Sequence, residues 1–309
     1  MVRYLVYFGY IGSGLHGIPR IPTLHGEDLT TIQGILEAGL RKLKPKQSPV
    51  FYSSSRTDAG VHGLCSTGHF DLDHPTMKYD PHQITSSLNQ FLKDNHLNVK
   101  IHKTLKVSDD FSARYDPISR TYLYRLLVLN ENKKMLDFNR HIPQAEQDKC
   151  GVFFPPFDVK KFSNAAQFLI GRHDFSSFTK KSKTERSPIR ELYSISVHPG
   201  YGFLSNHDEL YRDLQVWNIV FTGRSYVYQQ IRRIVGALQA VASDKLDTDY
   251  IKYMIENPSR DNWPHALSPA PPEGLYLANV QYPNHTLELD YTRPEITNDN
   301  ANLKLEKKL

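Results

Sequence analysis

The chain of 309 residues has little cysteine and no long apolar run, and each shortage excludes a class of protein. Its two cysteines, Cys65 and Cys150, are too few for a disulfide scaffold or for a cysteine-rich zinc module. No apolar stretch approaches the ~20 residues that a helix needs to cross a bilayer. We therefore expect no membrane partner and a fold that forms in a reducing compartment.

The first residues also lack the features of a targeting segment. Residues 1–8 alternate aromatic and aliphatic side chains and predict a strand. They show neither the basic-then-apolar order of a signal peptide nor the Arg- and Ser-rich composition of a transit peptide. We expect a cytoplasmic or mitochondrial protein without a cleaved targeting segment.

Aromatic and basic residues, in contrast, are plentiful. The 15 Phe, 18 Tyr and 2 Trp suffice, with the aliphatic residues, for substantial cores. Lys and Arg outnumber Asp and Glu by 38 to 33, which gives a formal charge of +5. Basic residues cluster at 41–46, at 180–190, at 224–233 and at Arg114, Arg120 and Arg125. One such cluster is typical of a solvated surface, but their combination favours a cleft that binds phosphates.

The hydrophobic pattern predicts an α+β fold in which one order of elements occurs twice. In the first half we predict strands at 2–10, 49–56, 66–72 and 97–106, and helices over 32–43, capped by Thr30 or Thr31, and over 81–92. The resulting β-α-β-β-α-β order is typical of a ferredoxin-like (RRM-like) unit.

The second half repeats that order around a long connection or insertion at 130–156. We predict strands at 120–129, 191–198, 214–222 and 275–282, and helices from Asp158 onward, over 225–243 and over 248–256. Residues 1–109 and 110–288 are thus expected to form two units, followed by a polar tail at 289–309. His173 and Asp174 are expected to hold a turn, and Gly236 predicts the close approach of another element.

The densest local signal is the stretch SSSRTDAGVHG at 53–63. It places Asp58 on a turn between two predicted strands, where Gly60 and Gly63 permit unusual backbone angles. A turn aspartate more often only caps its turn, but Arg56 and His62 add ionisable groups that a plain turn does not need. The stretch alone is weak support for catalysis.

Five segments in order resemble the TruA family of tRNA pseudouridine synthases. They are SSRTDAGVHG at 54–63, DFSAR and RTYLY within 110–124, LIGRHDFSSF at 169–178, IRRIVG at 231–236 and PEGLYL at 272–277. Five ordered matches are a strong signal, although each alone would be weak. Within the family the chain is most similar to the animal pseudouridine synthase-like branch. It departs from the usual pattern in its first loop, at Tyr10–Gly12 and Gly17–Pro19.

The resemblance implies an extended antiparallel or mixed sheet built from two ferredoxin-like units, with helices on one side and a basic cleft between the units. It implies the isomerisation of a uridine in tRNA, in the anticodon stem-loop, to pseudouridine. No metal or organic cofactor is implied. A homodimer is implied as the assembly.

The resemblance also assigns the site residues. Asp58 matches the catalytic aspartate. Substrate contacts fall on Tyr122, Arg232, Arg56 and Leu275. The basic clusters, in turn, predict contacts to the RNA backbone at Lys180, Lys181, Lys183 and Arg114. Arg232 is expected to hold Asp58 through two parallel hydrogen bonds, whereas Arg233 is expected to meet phosphate or solvent.

Several alternatives stay open at this level. The carboxylate could add to the base, add to the sugar or remove a sugar proton. Tyr124 lies on the same predicted sheet face as Tyr122 and could take its place. A catalytically inactive RNA-binding relative is the main rival function. A metal-dependent hydrolase that uses Asp58, Asp71, Asp73 and histidines is a more distant one.

Overall fold

The computed structural model describes residues 1–21, 27–73, 79–130, 142–180 and 187–287. The helices are α1 (Ile32–Arg41), α2 (Pro81–Asp94), α3 (Val159–Gln167), α4 (Gln230–Ala242) and α5 (Thr248–Glu256). The strands are β1 (Val2–Tyr10), β2 (Tyr52–Ser53), β3 (His62–Leu72), β4 (Val99–Lys106), β5 (Ser119–Leu129), β6 (Gly151–Phe153), β7 (Gly171–Asp174), β8 (Ile189–Pro199), β9 (Leu214–Gly223) and β10 (Leu275–Gln281). The predicted tail at 289–309 lies outside the described residues.

The strands form one mixed sheet in the order β4-β1-β3-β10-β5-β9-β8-β7, with β2 paired to β3 and β6 paired to β5. Strands from the first and second halves of the chain meet where β3 pairs in parallel with β10. This pairing consists of two residue pairs, His62 with Tyr276 and Leu277 with Gly63. The last described strand therefore lies in the middle of the sheet.

Two cores lie against this sheet. The first contains alternate residues of β1 together with apolar residues of α1 and α2, among them Phe8, Ile35 and Leu88. The second contains alternate residues of β5 together with apolar residues of α3, α4 and α5. Alternate side chains of a strand share a face, and helical residues spaced by three and four share a stripe, which is why these patterns predict the elements.

Helix N-caps were predicted well because a capping side chain is a local signal. The Thr31 hydroxyl accepts a hydrogen bond from the backbone N–H of Gly34 at the start of α1. Asp158 accepts from the backbone N–H groups of Lys160 and Lys161 at the start of α3. Both side chains satisfy donors that the first helical turn leaves unpaired.

Several predicted bounds were wrong. The strand predicted at 49–56 is reduced to β2, because the chain turns after Ser53, whereas β3 begins earlier than predicted, at His62. The helix predicted from residue 225 begins at Gln230, since the preceding Gln229 has the left-handed value φ = 61°. Strands β6 and β7 were missed because each is shorter than a detectable period. Part of the predicted connection at 130–156 is thus strand, and its residues 131–141 lie outside the described part.

No helix within the described residues is long and apolar enough to cross a membrane.

Candidate active site

Asp58 lies on the turn that connects β2 to β3, and the first loop of the chain supports this turn. Tyr10 Oη and Thr57 Oγ1 are 2.9 Å apart and share a hydrogen bond. Gly60 adopts the left-handed φ of 79° that the motif predicted. Gly17, at φ = 94°, comes so close that an added Cβ would lie 2.5 Å from the carbonyl oxygen of Thr57. The turn is therefore packed against both Tyr10, at the end of β1, and the loop around Gly17.

Gly63, the second glycine of the motif, serves a different purpose from the one predicted. It is not among the residues with a positive φ. A Cβ at this position would lie 2.4 Å from Cε1 of Tyr10, so the side chain is missing because an aromatic ring occupies its space. The prediction of an unusual backbone angle at Gly63 was wrong.

Arg232, in the first turn of α4, reaches Asp58 across the cleft between the two halves. Its Nη1 donates to Asp58 Oδ2 at 2.9 Å, and the two side chains are 14% and 26% exposed. Its Nε donates to the carbonyl oxygen of Ala270 at 2.8 Å. The expected pair of parallel hydrogen bonds to Asp58 is not found, because the guanidinium divides its donors between the two partners.

The segment before β10 fixes the position of α4. The backbone N–H of Ala270 donates to the carbonyl oxygen of Arg232 at 2.8 Å. A Cβ on Gly236 would lie 2.5 Å from the carbonyl oxygen of Ser268. The close approach predicted at Gly236 is confirmed. It fixes the position of α4 against this segment and so places Arg232 opposite Asp58.

Tyr122 lines the same cleft, whereas Tyr124 does not. The Tyr122 ring meets that of Tyr226 edge to face, with 5.0 Å between the ring centroids. Burial raises the pKa of the Tyr122 hydroxyl, and a hydrogen bond with Ser55 and the charge of Arg120 act in the opposite direction. Tyr124 is fully buried and donates to the carbonyl oxygen of Pro271 at 2.9 Å. Of the two tyrosines, only Tyr122 has access to the cleft.

The cleft has a volume of about 730 Å³ and is lined by both halves of the chain. Its described lining residues include eight cationic side chains but one carboxylate, that of Asp58. The cations are Arg56, Arg114, Arg120, Lys180, Arg190, Arg224, Arg232 and Arg260. Such an excess of positive charge in a concave site favours a polyanionic ligand.

Most of the predicted site residues come together in this cleft. Arg56, Leu275, Arg114 and Lys180 all line it beside Asp58, Tyr122 and Arg232. Arg56 is exposed, whereas Leu275 is 7% exposed and pairs with Tyr124 across the sheet. Lys181 and Lys183 lie outside the described residues.

Two of the predicted basic clusters contain residues with other roles. Arg125 does not line the cleft but forms an ion pair with the fully buried carboxylate of Glu146, at 2.7 Å. Arg41 pairs with Glu27 at 3.1 Å, and no residue of 41–46 is among the described residues that line the cleft.

Arg233 corrects a further expectation. Its guanidinium lies over the ring of Trp263, 4.5 Å from the centroid, and its Nη1 donates to the carbonyl oxygen of Thr179 at 3.2 Å. Burial lowers its pKa. The side chain therefore braces the segment before Lys180, and does not face phosphate or open solvent.

The histidines that suggested a metal site have structural partners. His62 Nδ1 accepts from the backbone N–H of Gly12 at 2.9 Å, and its Nε2 lies 3.0 Å from the carbonyl oxygen of Glu273. These partners define a neutral ring with the proton on Nε2. Burial is the main cause that lowers the pKa of His62. The described residues contain no group of three or more metal-binding side chains.

His173 and Asp174 hold a turn, as predicted. His173 Nε2 lies 2.9 Å from the carbonyl oxygen of Ile170, and Asp174 accepts from the backbone N–H of Ser176 at 2.8 Å. The turn leads to Thr179 and Lys180 at the wall of the cleft.

Sequence reasoning missed Tyr226, Ser55 and Arg260, which also line the cleft. Tyr226 and Ser55 lie in loops, where no hydrophobic period marks a residue as inward-facing. Only the folded structure shows that they lie in the same cleft as Tyr122. Arg260 follows α5 in an isolated turn and belongs to no basic cluster in the sequence.

Comparison with known proteins agrees with this site. The family profile described as PseudoU_synth_1, tRNA pseudouridine synthase, matches residues 165–283. The protein called "tRNA pseudouridine synthase-like 1" from Homo sapiens is 33% identical over 286 residues, which cover 91% of this chain and 90% of that protein. Its Xenopus laevis counterpart is 32% identical, with 91% of each chain covered. "tRNA pseudouridine synthase A 2" of Bacillus cereus is 30% identical over 91% of this chain and its own full length.

Among solved structures, a Cbf5-Nop10-Gar1 complex covers 84% of this chain and 60% of its own at 11% identity, with a TM-score of 0.29, which is too low to define the fold. The identities with the curated proteins, over nearly the whole of each chain, are decisive. The chain belongs to the TruA-type family of tRNA pseudouridine synthases, and its animal relatives are those called tRNA pseudouridine synthase-like.

Proposed function

We propose that this protein is an intramolecular transferase that converts a uridine of tRNA to pseudouridine, with Asp58 as its single catalytic carboxylate. The observation that carries the proposal is the contact between Asp58 Oδ2 and Arg232 Nη1 at 2.9 Å, beside Tyr122 in a strongly basic cleft. Membership of the family supports it independently. A protein that only binds RNA would have no need of this pair.

The reaction requires the bond between ribose C1′ and uracil N1 to break. The base then turns and bonds to C1′ through C5, and the C5 proton leaves, so that the product is an isomer of the substrate. Asp58 can start this exchange by adding to the base, adding to the sugar or removing a sugar proton. In each case its carboxylate must face the nucleoside in one direction, which the hydrogen bond from Arg232 supplies.

The target nucleotide must leave its stack to reach Asp58, because the carboxylate lies within the cleft. Tyr122 offers the displaced base an aromatic neighbour, and Leu275 offers an apolar wall. Arg56 is exposed, lies two residues before Asp58 and lines the cleft, so it is assigned a contact with the substrate. Arg114 and Lys180, with Lys181 and Lys183 further along the chain, contact the RNA backbone.

The same proposal includes finer points of architecture and substrate. Each half forms a ferredoxin-like unit, a view supported by the strand orders β4-β1-β3-β2 and β10-β5-β9-β8, which follow the same arrangement of first to fourth strands. The boundary falls near residue 109, between β4 and β5. The modified uridine lies in the anticodon stem-loop, and the protein acts as a homodimer in the cytoplasm or in mitochondria without a cofactor.

The function is tested with purified protein, prepared from a host strain without its own enzyme of this family, and unmodified tRNA. Asp58→Asn is expected to abolish pseudouridine formation while the dissociation constant for tRNA changes less than about 3-fold. Asp94→Asn, at an exposed position on α2, is the matched control and should leave the rate unchanged. A wild-type protein that binds tRNA but forms no pseudouridine would instead support the inactive RNA-binding relative.

A further inference from the structure

We propose that Arg120 is a positioning residue of this site, which fixes the catalytic turn against the strand of Tyr122 and supports the Tyr122 ring through Tyr226. The inference rests on the proposed function and extends it to a side chain whose sequence position suggested only a phosphate contact. It concerns an arginine that directs its hydrogen bonds into the protein and not toward RNA.

The guanidinium of Arg120 joins three segments that form the wall of the cleft. Its Nη2 donates to the carbonyl oxygens of Ser54 and Arg114, each at 2.9 Å. Its Nη1 donates to the carbonyl oxygen of Arg224 at 2.8 Å, and its Nε donates to Ser55 Oγ at 3.0 Å. These acceptors belong to the catalytic turn, to the segment before β5 and to the loop before α4.

The arrangement of these hydrogen-bond acceptors explains why residue 120 is an arginine. Four acceptors surround one planar group and use donors on all three of its nitrogen atoms, an arrangement that a lysine ammonium cannot reproduce. All four acceptors are uncharged, and Arg120 is 8% exposed. No carboxylate is among these four acceptors, so none of these bonds neutralises its charge.

Tyr226 connects Arg120 to Tyr122. The carbonyl oxygen of Arg120 accepts from the Tyr226 hydroxyl at 3.2 Å, and the Tyr226 ring meets Tyr122 edge to face. On its other side, the guanidinium donates to the Ser55 hydroxyl of the catalytic turn. One residue therefore supports the ring of Tyr122 through Tyr226 and holds the catalytic turn through Ser54 and Ser55.

These contacts separate a positioning role from a purely structural one. A residue that only held the fold together would lower the stability, and the rate in the folded fraction would stay normal. A residue that positions the catalytic turn and the ring of Tyr122 lowers the rate on bound tRNA even where the protein is folded.

The test is single-turnover pseudouridine formation with saturating enzyme, measured beside tRNA affinity and thermal stability. Arg120→Lys is expected to lower the rate roughly 100-fold, because a displacement of about 1 Å at a reacting group has that effect, with affinity nearly unchanged. Arg120→Gln, which also loses the charge, should be at least as slow. Arg125→Lys, on the same strand but outside the cleft, controls for lost stability and should keep the wild-type rate in the folded fraction.

Ser55→Ala keeps the inference testable if the Arg120 variants fail to fold. It removes the hydroxyl that accepts from Arg120 Nε and is expected to lower the rate, and in a double variant its effect should not add to that of Arg120→Lys. A wild-type rate for either Arg120→Lys or Ser55→Ala, additive effects, or a loss confined to tRNA affinity would overturn the positioning role. Inactive wild-type protein, run in the same assay, would overturn the proposed function itself and this role with it.

Discussion

Arg232 contacts Asp58 through one nitrogen, Nη1, while its Nε is bound to Ala270, so the same guanidinium connects the catalytic turn to the segment before β10. Asp58 belongs to the first half of the chain, and the other two residues belong to the second. The orientation of the Asp58 carboxylate therefore depends on how the second half of the chain packs against the first. A substitution at residue 232 should disturb that orientation.

Arg232→Lys is expected to lower single-turnover isomerisation roughly 100-fold with a small change in tRNA affinity. A lysine can contact either Asp58 or Ala270, but it lacks the two separated donors that reach both. The measurement is the rate of pseudouridine formation at saturating enzyme, beside the dissociation constant.

Arg233→Lys is the matched comparison, one residue further along α4. A lysine lacks the planar guanidinium that lies on the Trp263 ring and donates to Thr179 at the same time, so we expect a lower melting temperature but a nearly normal rate in the folded fraction. A rate loss that is larger for Arg233→Lys than for Arg232→Lys would contradict this placement of α4.

The two tyrosines of β5 should respond differently to loss of the hydroxyl. Tyr122→Phe keeps the ring in the cleft and is expected to slow the reaction, because it removes the hydroxyl of the β5 tyrosine that lines the cleft. Tyr124→Phe leaves the buried carbonyl oxygen of Pro271 without its donor, so it should lower the free energy of unfolding by about 1–3 kcal/mol and leave the chemistry intact. Urea unfolding and single-turnover rates on both variants separate these outcomes, and a slowed Tyr124→Phe beside a normal Tyr122→Phe would assign the role to the other ring.

Affinity for tRNA should fall steeply with salt, because several cations line the cleft. Each phosphate contact contributes roughly 0.7–0.9 to the slope of log affinity against log salt. Lys180→Gln and Arg114→Gln should each reduce the slope by about that amount. Lys42→Gln, in the basic cluster that the structure places away from the cleft, should not. Equal effects of Lys42→Gln and Lys180→Gln would mean that the cleft is not the main RNA-binding surface.

Acid should destabilise the protein through two buried histidines. His62 and His69 accept backbone N–H groups from Gly12 and Ala113 at Nδ1, and burial lowers the pKa of each. The unfolded chain then binds more protons than the folded one below about pH 6.5, so stability is complete above that pH and decreases as pH falls.

The loss can reach about 1.4 kcal/mol per pH unit for each histidine. The check is urea unfolding of the wild type and of His62→Asn at pH 7.5 and pH 5.5. The variant should be less stable at pH 7.5 yet lose less on acidification. The same acid-dependent loss in both proteins would show that His62 is not a source of it.

The sequence predicted best those features that depend on neighbours along the chain. Thr31 and Asp158 were predicted as caps because capping involves the next few residues. The pairing of Asp58 with Arg232 came from the family resemblance, since no local pattern links residues so far apart.

The roles of Arg120 and Arg233 could not be predicted in the same way. Both lie in basic clusters that suggest phosphate contacts, but their partners are carbonyl oxygens and an aromatic ring brought in by distant segments. Strand β6 was missed for a related reason, because it becomes a strand only by pairing with β5.

The place of β10 in the sheet has a consequence for how the protein is synthesised. Strands β4, β1 and β3 can associate while the ribosome is still translating the second half, but residues 275–281 emerge after every other described strand and must insert between β3 and β5. Until they do, the segment around Ala270 has its contacts with α4 but is not anchored to the sheet by the strand that follows it. We expect a nascent or truncated chain that ends before β10 to carry every ionisable residue of the cleft and still to be unable to modify RNA.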